Sequence, residues 1–133
     1  MRPSYLLATA LVLVACGASA PEAAKVPAAT GLAPGVCKSV ATFTSSAAPQ
    51  LQKDGCAGCH AGSDASATAA LDLTNVGKDN AAACSQALRA VDLANRPQSA
   101  IIQAATGAQA HKGGTVGDAQ AFTSALLGWI DNE

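Results

Sequence analysis

The sequence predicts an all-α fold, and three observations carry that expectation. No segment sustains the period-two alternation of a half-buried strand. The 118–130 segment repeats Phe122, Leu126 and Ile130 at i, i+4 and i+8, the spacing of one helix face. The segments before it are rich in alanine and punctuated by Pro49, Pro97 and Gly107, where helices can start and stop.

In chain order, 39–45 and 48–53 read as two short helical stretches. Pro49 is tolerable in the first turn of the second, where its missing N–H would have no partner within the helix. These stretches deliver the chain to Cys56. The 80–91 segment is alanine-rich, with Leu88 and Val91 on one side. The 98–106 segment follows Pro97 and ends at Gly107, a suitable first residue beyond a helix. The clearest helix is 118–130: Asp118 can cap its N-terminus, and Leu127 and Trp129 widen its apolar face.

Ahead of this domain, Arg2 makes a short positive region and 5–15 an apolar run. That run is shorter than the about 20 residues that span a bilayer, so it reads as a cleaved signal peptide. Its end, Leu13-Val14-Ala15-Cys16, resembles the bacterial lipobox, in which cleavage precedes a cysteine that is then acylated. The alternative is an ordinary cut near Ala18-Ser19-Ala20. Residues 1–15 are thus expected to be a lipoprotein signal, with Cys16 lipidated and the protein anchored to, not spanning, a membrane of the bacterial cell envelope, on its periplasmic or outer-surface side. Residues 16–35 are nearly all small residues and proline, with little to bury, and read as a disordered tether. Residues 36–133 make one domain of ordinary size, without internal repeats.

The motif that names a chemistry is Cys56-Ala57-Gly58-Cys59-His60. A C-x-x-C-H string is the attachment signal of a c-type haem. Two thiols three positions apart can add to the two vinyl groups of one porphyrin, and the next side chain, an imidazole, then lies under the iron. The rival is zinc, held by Cys56, Cys59, His60 and His111. Adjacent ligation by Cys59 and His60 suits a tetrahedron poorly, since zinc ligands are usually spaced two to four residues apart. One motif implies one covalent haem. Leu71, Leu73, Val91, Leu93, Ile101 and Ile102 are candidates to cover it, or to form a protein-only core.

The order Phe43, Pro49-x-Leu51, Cys56-x-x-Cys59-His60, Leu71-Asp72-Leu73, Ser99-x-Ile101-Ile102, His111-x-Gly113-Gly114 and Gly128-Trp129-Ile130 resembles the cytochrome c-like domains of planctomycete and myxobacterial secreted proteins. The resemblance spans about residues 40–131, and only the C-x-x-C-H string is specific by itself. It implies a small helical cytochrome c fold around one haem, whose last helix crosses the first so that Phe43 approaches Trp129.

Many electron-transfer cytochromes set a methionine opposite the histidine. Met1 is the sole methionine and falls in the expected signal. The side chains left to bind the far side of the iron are His111, the lysines and, less readily, a cysteine; water or an open site is the other option. His111 is the leading candidate, because it follows the motif by 51 residues and has Gly113, Gly114 and Gly117 beside it for close approach to a flat macrocycle. The family's H-x-G-G segment agrees with this choice, and bis-His ligation implies a lower potential than His/Met.

With Cys16, Cys56 and Cys59 assigned, Cys37 and Cys84 remain. An even remainder in an oxidising compartment suggests a disulfide, the alternative being two buried thiols. Closing that loop would stabilise the fold by about 4 kcal/mol through the entropy of the unfolded chain. From residue 36 onward six Lys or Arg face eight Asp or Glu, a net charge of −2, with no basic stripe for nucleic acid. Arg89 and Arg96 could pair with haem propionates or stand solvated. No paired carboxylates and no nucleophile with a base mark an enzyme. The expectation is an envelope electron carrier working with redox partner proteins; the alternatives are a haem-based sensor and a redox subunit of a larger complex.

Overall fold

The computed structural model describes residues 35–133; the expected signal peptide, the lipidation position Cys16 and nearly all of the tether lie outside the described residues. Among the described residues the regular elements are helical and no strand forms. Helix α1 runs continuously over 40–53, as α-helical Val40–Thr42, π-helical Phe43–Ala47 and α-helical Ala48–Lys53. The sequence pattern suggests two stretches here, and the π turn explains their fusion. Pro49 cannot donate to the carbonyl of Ser45, and its ring crowds the preceding turn. A widened turn ahead of it, in which the Ala48 N–H bonds to the Phe43 carbonyl, accommodates both defects without a break.

Helix α1 closes with the Asp54 N–H on the Gln50 carbonyl and the Gly55 N–H on the Gln52 carbonyl. Gly55 then adopts φ 73°, which a side chain would oppose, and redirects the chain at once into α2, Cys56–His60. Helix α3, Ala65–Ala70, starts on Asp64, whose carboxylate accepts the Ser66 and Ala67 N–H groups at 2.9 and 3.0 Å. Helix α4, Asn80–Ala87, starts on Asp79 in the same manner and tightens into a 3₁₀ turn, Leu88–Ala90. A second 3₁₀ turn, Arg96–Gln98, leads into α5, Ala100–Thr106, which stops at Gly107. Helix α6, Ala119–Ile130, is capped by Asp118 through the Ala121 N–H at 2.9 Å.

The core forms where α6 crosses α1. Phe122, Leu126, Trp129 and Ile130 are fully buried with Phe43, Ala47 and Leu51. The Phe43 and Trp129 rings meet edge to face, centroids 5.0 Å apart and planes at 71°, the arrangement aromatic quadrupoles favour. Leu73, Val91, Ile101 and Ile102 are buried and Leu71 is half-buried. Leu93 is not: it is 36% exposed. Its neighbour Asp92 accepts the N–H groups of Ala94 and Asn95 and builds a surface turn that carries Leu93 outward.

Cys37 and Cys84 are joined as a disulfide with Cα atoms 5.7 Å apart, tying the segment before α1 to α4. Beside it, the Glu133 carboxylate accepts the N–H groups of Lys38 and Ser39 at 3.0 Å, the Ser39 hydroxyl and the Trp129 indole N–H at 3.0 Å. A side chain after α6 thereby satisfies donors at the start of α1. Partial burial pushes the Glu133 carboxyl up, but these donors outweigh it and hold the group below its ordinary range. A depressed folded value means that the stabilisation is present above the unfolded value of about 4.3 and is lost as pH falls through the folded one. Urea melts should therefore show wild type more stable than Glu133→Gln at neutral pH, with the gap closing in acid. A gap that does not change with pH would contradict this role.

Candidate cofactor site

Helix α2 is little more than one turn long, so Cys56, Cys59 and His60, at i, i+3 and i+4, share one face. Cys59 is exposed and Cys56 half-buried. Burial first, and the charge of Asp54 second, push the Cys56 thiol up to about 11, so it is neutral at physiological pH and resists the oxidation that a thiolate invites. His60 is buried, 8% exposed. Its Nδ1 lies 2.9 Å from both the Ala67 and Leu71 carbonyls. A carbonyl only accepts, so Nδ1 carries the proton and the Nε2 lone pair is left for a metal or another donor. The backbone is braced as well, by the Leu73 N–H on the His60 carbonyl at 3.0 Å.

His111 occupies the loop between α5 and α6 and is exposed. Its Nδ1 donates to the Gly114 carbonyl at 2.8 Å, which again leaves Nε2 free. The loop is tied to α5 at its two ends, by Gln109 N–H to Gln103 and Val116 N–H to Ala105, and the turn between them is closed only on itself. A Cβ at Gly113 would stand 2.9 Å from His111 Cε1, so this position must remain bare for the ring to keep its place.

The fold brings the two imidazoles together, with centroids 5.9 Å apart and planes within 14°. Two imidazoles on opposite sides of one metal, each bonded at about 2.0 Å, have centroids about 6 Å apart, so the spacing is compatible with a shared ion. Between them lies a cleft of about 70 Å³, with Cys56, Cys59 and His60 on one side and Ala105, His111 and Val116 on the other. Tetrahedral zinc fits less well: among the described residues no three of Cys56, Cys59, His60 and His111 bring their donor atoms within 4.8 Å of one another. Cys37, Cys84 and Glu133 do, but their sulfurs are bonded to each other.

None of the six apolar residues named from the sequence lines this cleft; Ala105 and Val116 do. Nor do the arginines. Arg96 pairs with Asp131 at 3.6 Å and lines a different cavity, of about 340 Å³, with Leu93 and Leu127. Arg89 is exposed on the 3₁₀ turn after α4. The carbonyls that orient His60 carry no sequence signature, although Asp64 followed by an alanine-rich run marks the start of the helix that supplies one of them. Searches of protein-family models, curated proteins and solved structures find no match to the chain.

Proposed function

We propose that the chain is a single-haem c-type cytochrome that carries electrons in the bacterial cell envelope. The observation that carries this reading is the C-x-x-C-H helix, whose His60 ring lies near-parallel to that of His111 at 5.9 Å between centroids, with both Nδ1 protons committed to backbone carbonyls. In it Cys56 and Cys59 would hold one haem c by thioether bonds, and His60 and His111 would ligate its iron. When bound, the haem supplies reversible one-electron chemistry at iron. The chain fixes the rest. Helix α2 sets the two attachment points, α3 and the 71–73 segment orient His60, and the glycine turn brings His111 close. Two imidazoles and no thioether sulfur favour ferric iron and hence a low potential.

The site lies at the surface, with Cys59 and His111 exposed, which suits electron exchange with partner proteins. A lipidated Cys16 would hold the carrier at a membrane, with the 16–35 tether giving it reach; no described helix is long and apolar enough to cross one. The domain's all-helical build and the crossing of α1 by α6 support a cytochrome c-like arrangement. A second reading, a haem-based sensor, is favoured by the exposure of His111, a ligand that a diatomic gas could displace.

Haem staining and redox titration of the purified chain, matured in an envelope competent for c-type haem attachment, test the proposal. A covalent haem with reversible one-electron behaviour and no carbon monoxide adduct is expected of the carrier. Rapid carbon monoxide binding would favour the sensor, and no covalent haem would sink both.

A further inference from the structure

Two carbonyls accept the His60 Nδ1 proton, and they are held in different ways. Ala67 lies within α3, where the helix fixes its carbonyl. Leu71 is the residue that closes α3: its N–H bonds to the Ala67 carbonyl at 2.9 Å, but its backbone is extended and its own carbonyl points out of the helical run. The segment that follows is held in part by the Leu73 N–H on the His60 carbonyl at 3.0 Å and in part by side chains. Asp72 accepts the Thr74 N–H at 3.0 Å and the Thr74 hydroxyl at 2.7 Å with one oxygen, and the Gln86 side-chain amide at 2.8 Å with the other. Gln86 in turn accepts from the Asn75 amide at 3.3 Å. A single glutamine on α4 thus bridges two points of the 71–75 segment. Helix α4 is anchored two residues earlier by the Cys37–Cys84 disulfide. The donors around Asp72, those of Thr74 first, also hold its carboxyl below the ordinary carboxylate range.

Resting on His60 as an axial ligand of the haem proposed above, we propose that Asp72 and Gln86 form a positioning clamp, which holds the Leu71 carbonyl on the His60 Nδ1 proton and so sets the donor strength of that imidazole. A histidine whose Nδ1 proton is drawn toward an acceptor becomes a more basic ligand and stabilises the ferric state. Releasing the acceptor should therefore raise the reduction potential.

The test uses the full haem-bearing chain with Gln86→Leu, Asp72→Ala and Asp72→Asn. Asp72→Ala also removes a negative charge, which by itself favours reduced iron, so Gln86→Leu is the deciding variant: it leaves the charge and cuts the clamp. Gln86 is only half-buried, and its replacement should leave the fold intact. Gln86→Leu is expected to shift the reduction equilibrium about tenfold toward the ferrous form, about 59 mV for one electron. The His60 Nδ1 proton, followed by NMR, should exchange with solvent about tenfold faster. Asp72→Asn loses the same charge as Asp72→Ala but can keep the bridge, because the Gln86 amide can turn to present its carbonyl, so its potential should rise less than that of Asp72→Ala. Loss of stability in Gln86→Leu at an unchanged potential would overturn the clamp while leaving the haem assignment standing. A wild-type chain that takes up no covalent haem would overturn both.

Discussion

Trp129→Ala is expected to cost the domain about 3–5 kcal/mol, the usual range for emptying a buried aromatic site. Trp129 is fully buried where α6 crosses α1, its ring edge-on to Phe43. Its indole N–H donates to Glu133, the carboxylate that also caps the start of α1. Alanine would therefore leave a cavity, remove an aromatic pair and take one donor from a carboxylate that braces the N-terminal end of the fold. Against a domain stability of about 5–15 kcal/mol this is a large fraction. Denaturant melts followed by circular dichroism should show a markedly lower midpoint with little change in slope. A loss below about 1 kcal/mol would contradict the placement of Trp129 in the core.

The second large effect concerns the haem-bearing protein. His111→Ala should convert a low-spin ferric spectrum almost wholly to high-spin, because it removes the proposed sixth ligand and the cleft is lined by no lysine and no third histidine. Its potential should rise, since an imidazole that favours ferric iron has been taken away. Gly113→Ala should give a milder form of the same change: its new methyl would meet His111 Cε1 at 2.9 Å and push the ring from its place. Optical and electron paramagnetic resonance spectra read both. A wild type already high-spin, or a His111→Ala protein that stays low-spin, would exclude His111 as the ligand.

How much of this the sequence disclosed differed from element to element. Helix α6 was fully legible, because Asp118 caps it and Phe122, Leu126 and Ile130 mark its buried face. So was the stop of α5 at Gly107. Helices α2 and α3 were not anticipated, since five or six residues are too few to display a period. The fused α1 was hidden by Pro49, which reads as a helix start and is instead absorbed by a π turn. Leu93 illustrates a further limit: hydrophobicity marks a residue for burial, but the neighbouring Asp92 builds the turn that exposes it. In the site, Cys56, Cys59, His60 and His111 were all named from the sequence, and the fold brings them around one cleft. The orienting carbonyls and the Asp72–Gln86 bridge could not be named, because backbone acceptors have no residue code and the bridge joins positions 14 apart through tertiary packing.

On the function proposed here, Cys56 and Cys59 carry a covalent haem. Intact-mass measurement of the denatured protein, after expression with an envelope haem-attachment system, tests it most directly. The wild-type chain should carry the mass of one haem and retain haem stain through a denaturing gel, while the Cys56→Ala/Cys59→Ala double variant should show neither. A wild-type chain that emerges without haem, or a double variant that retains it covalently, would contradict the claim.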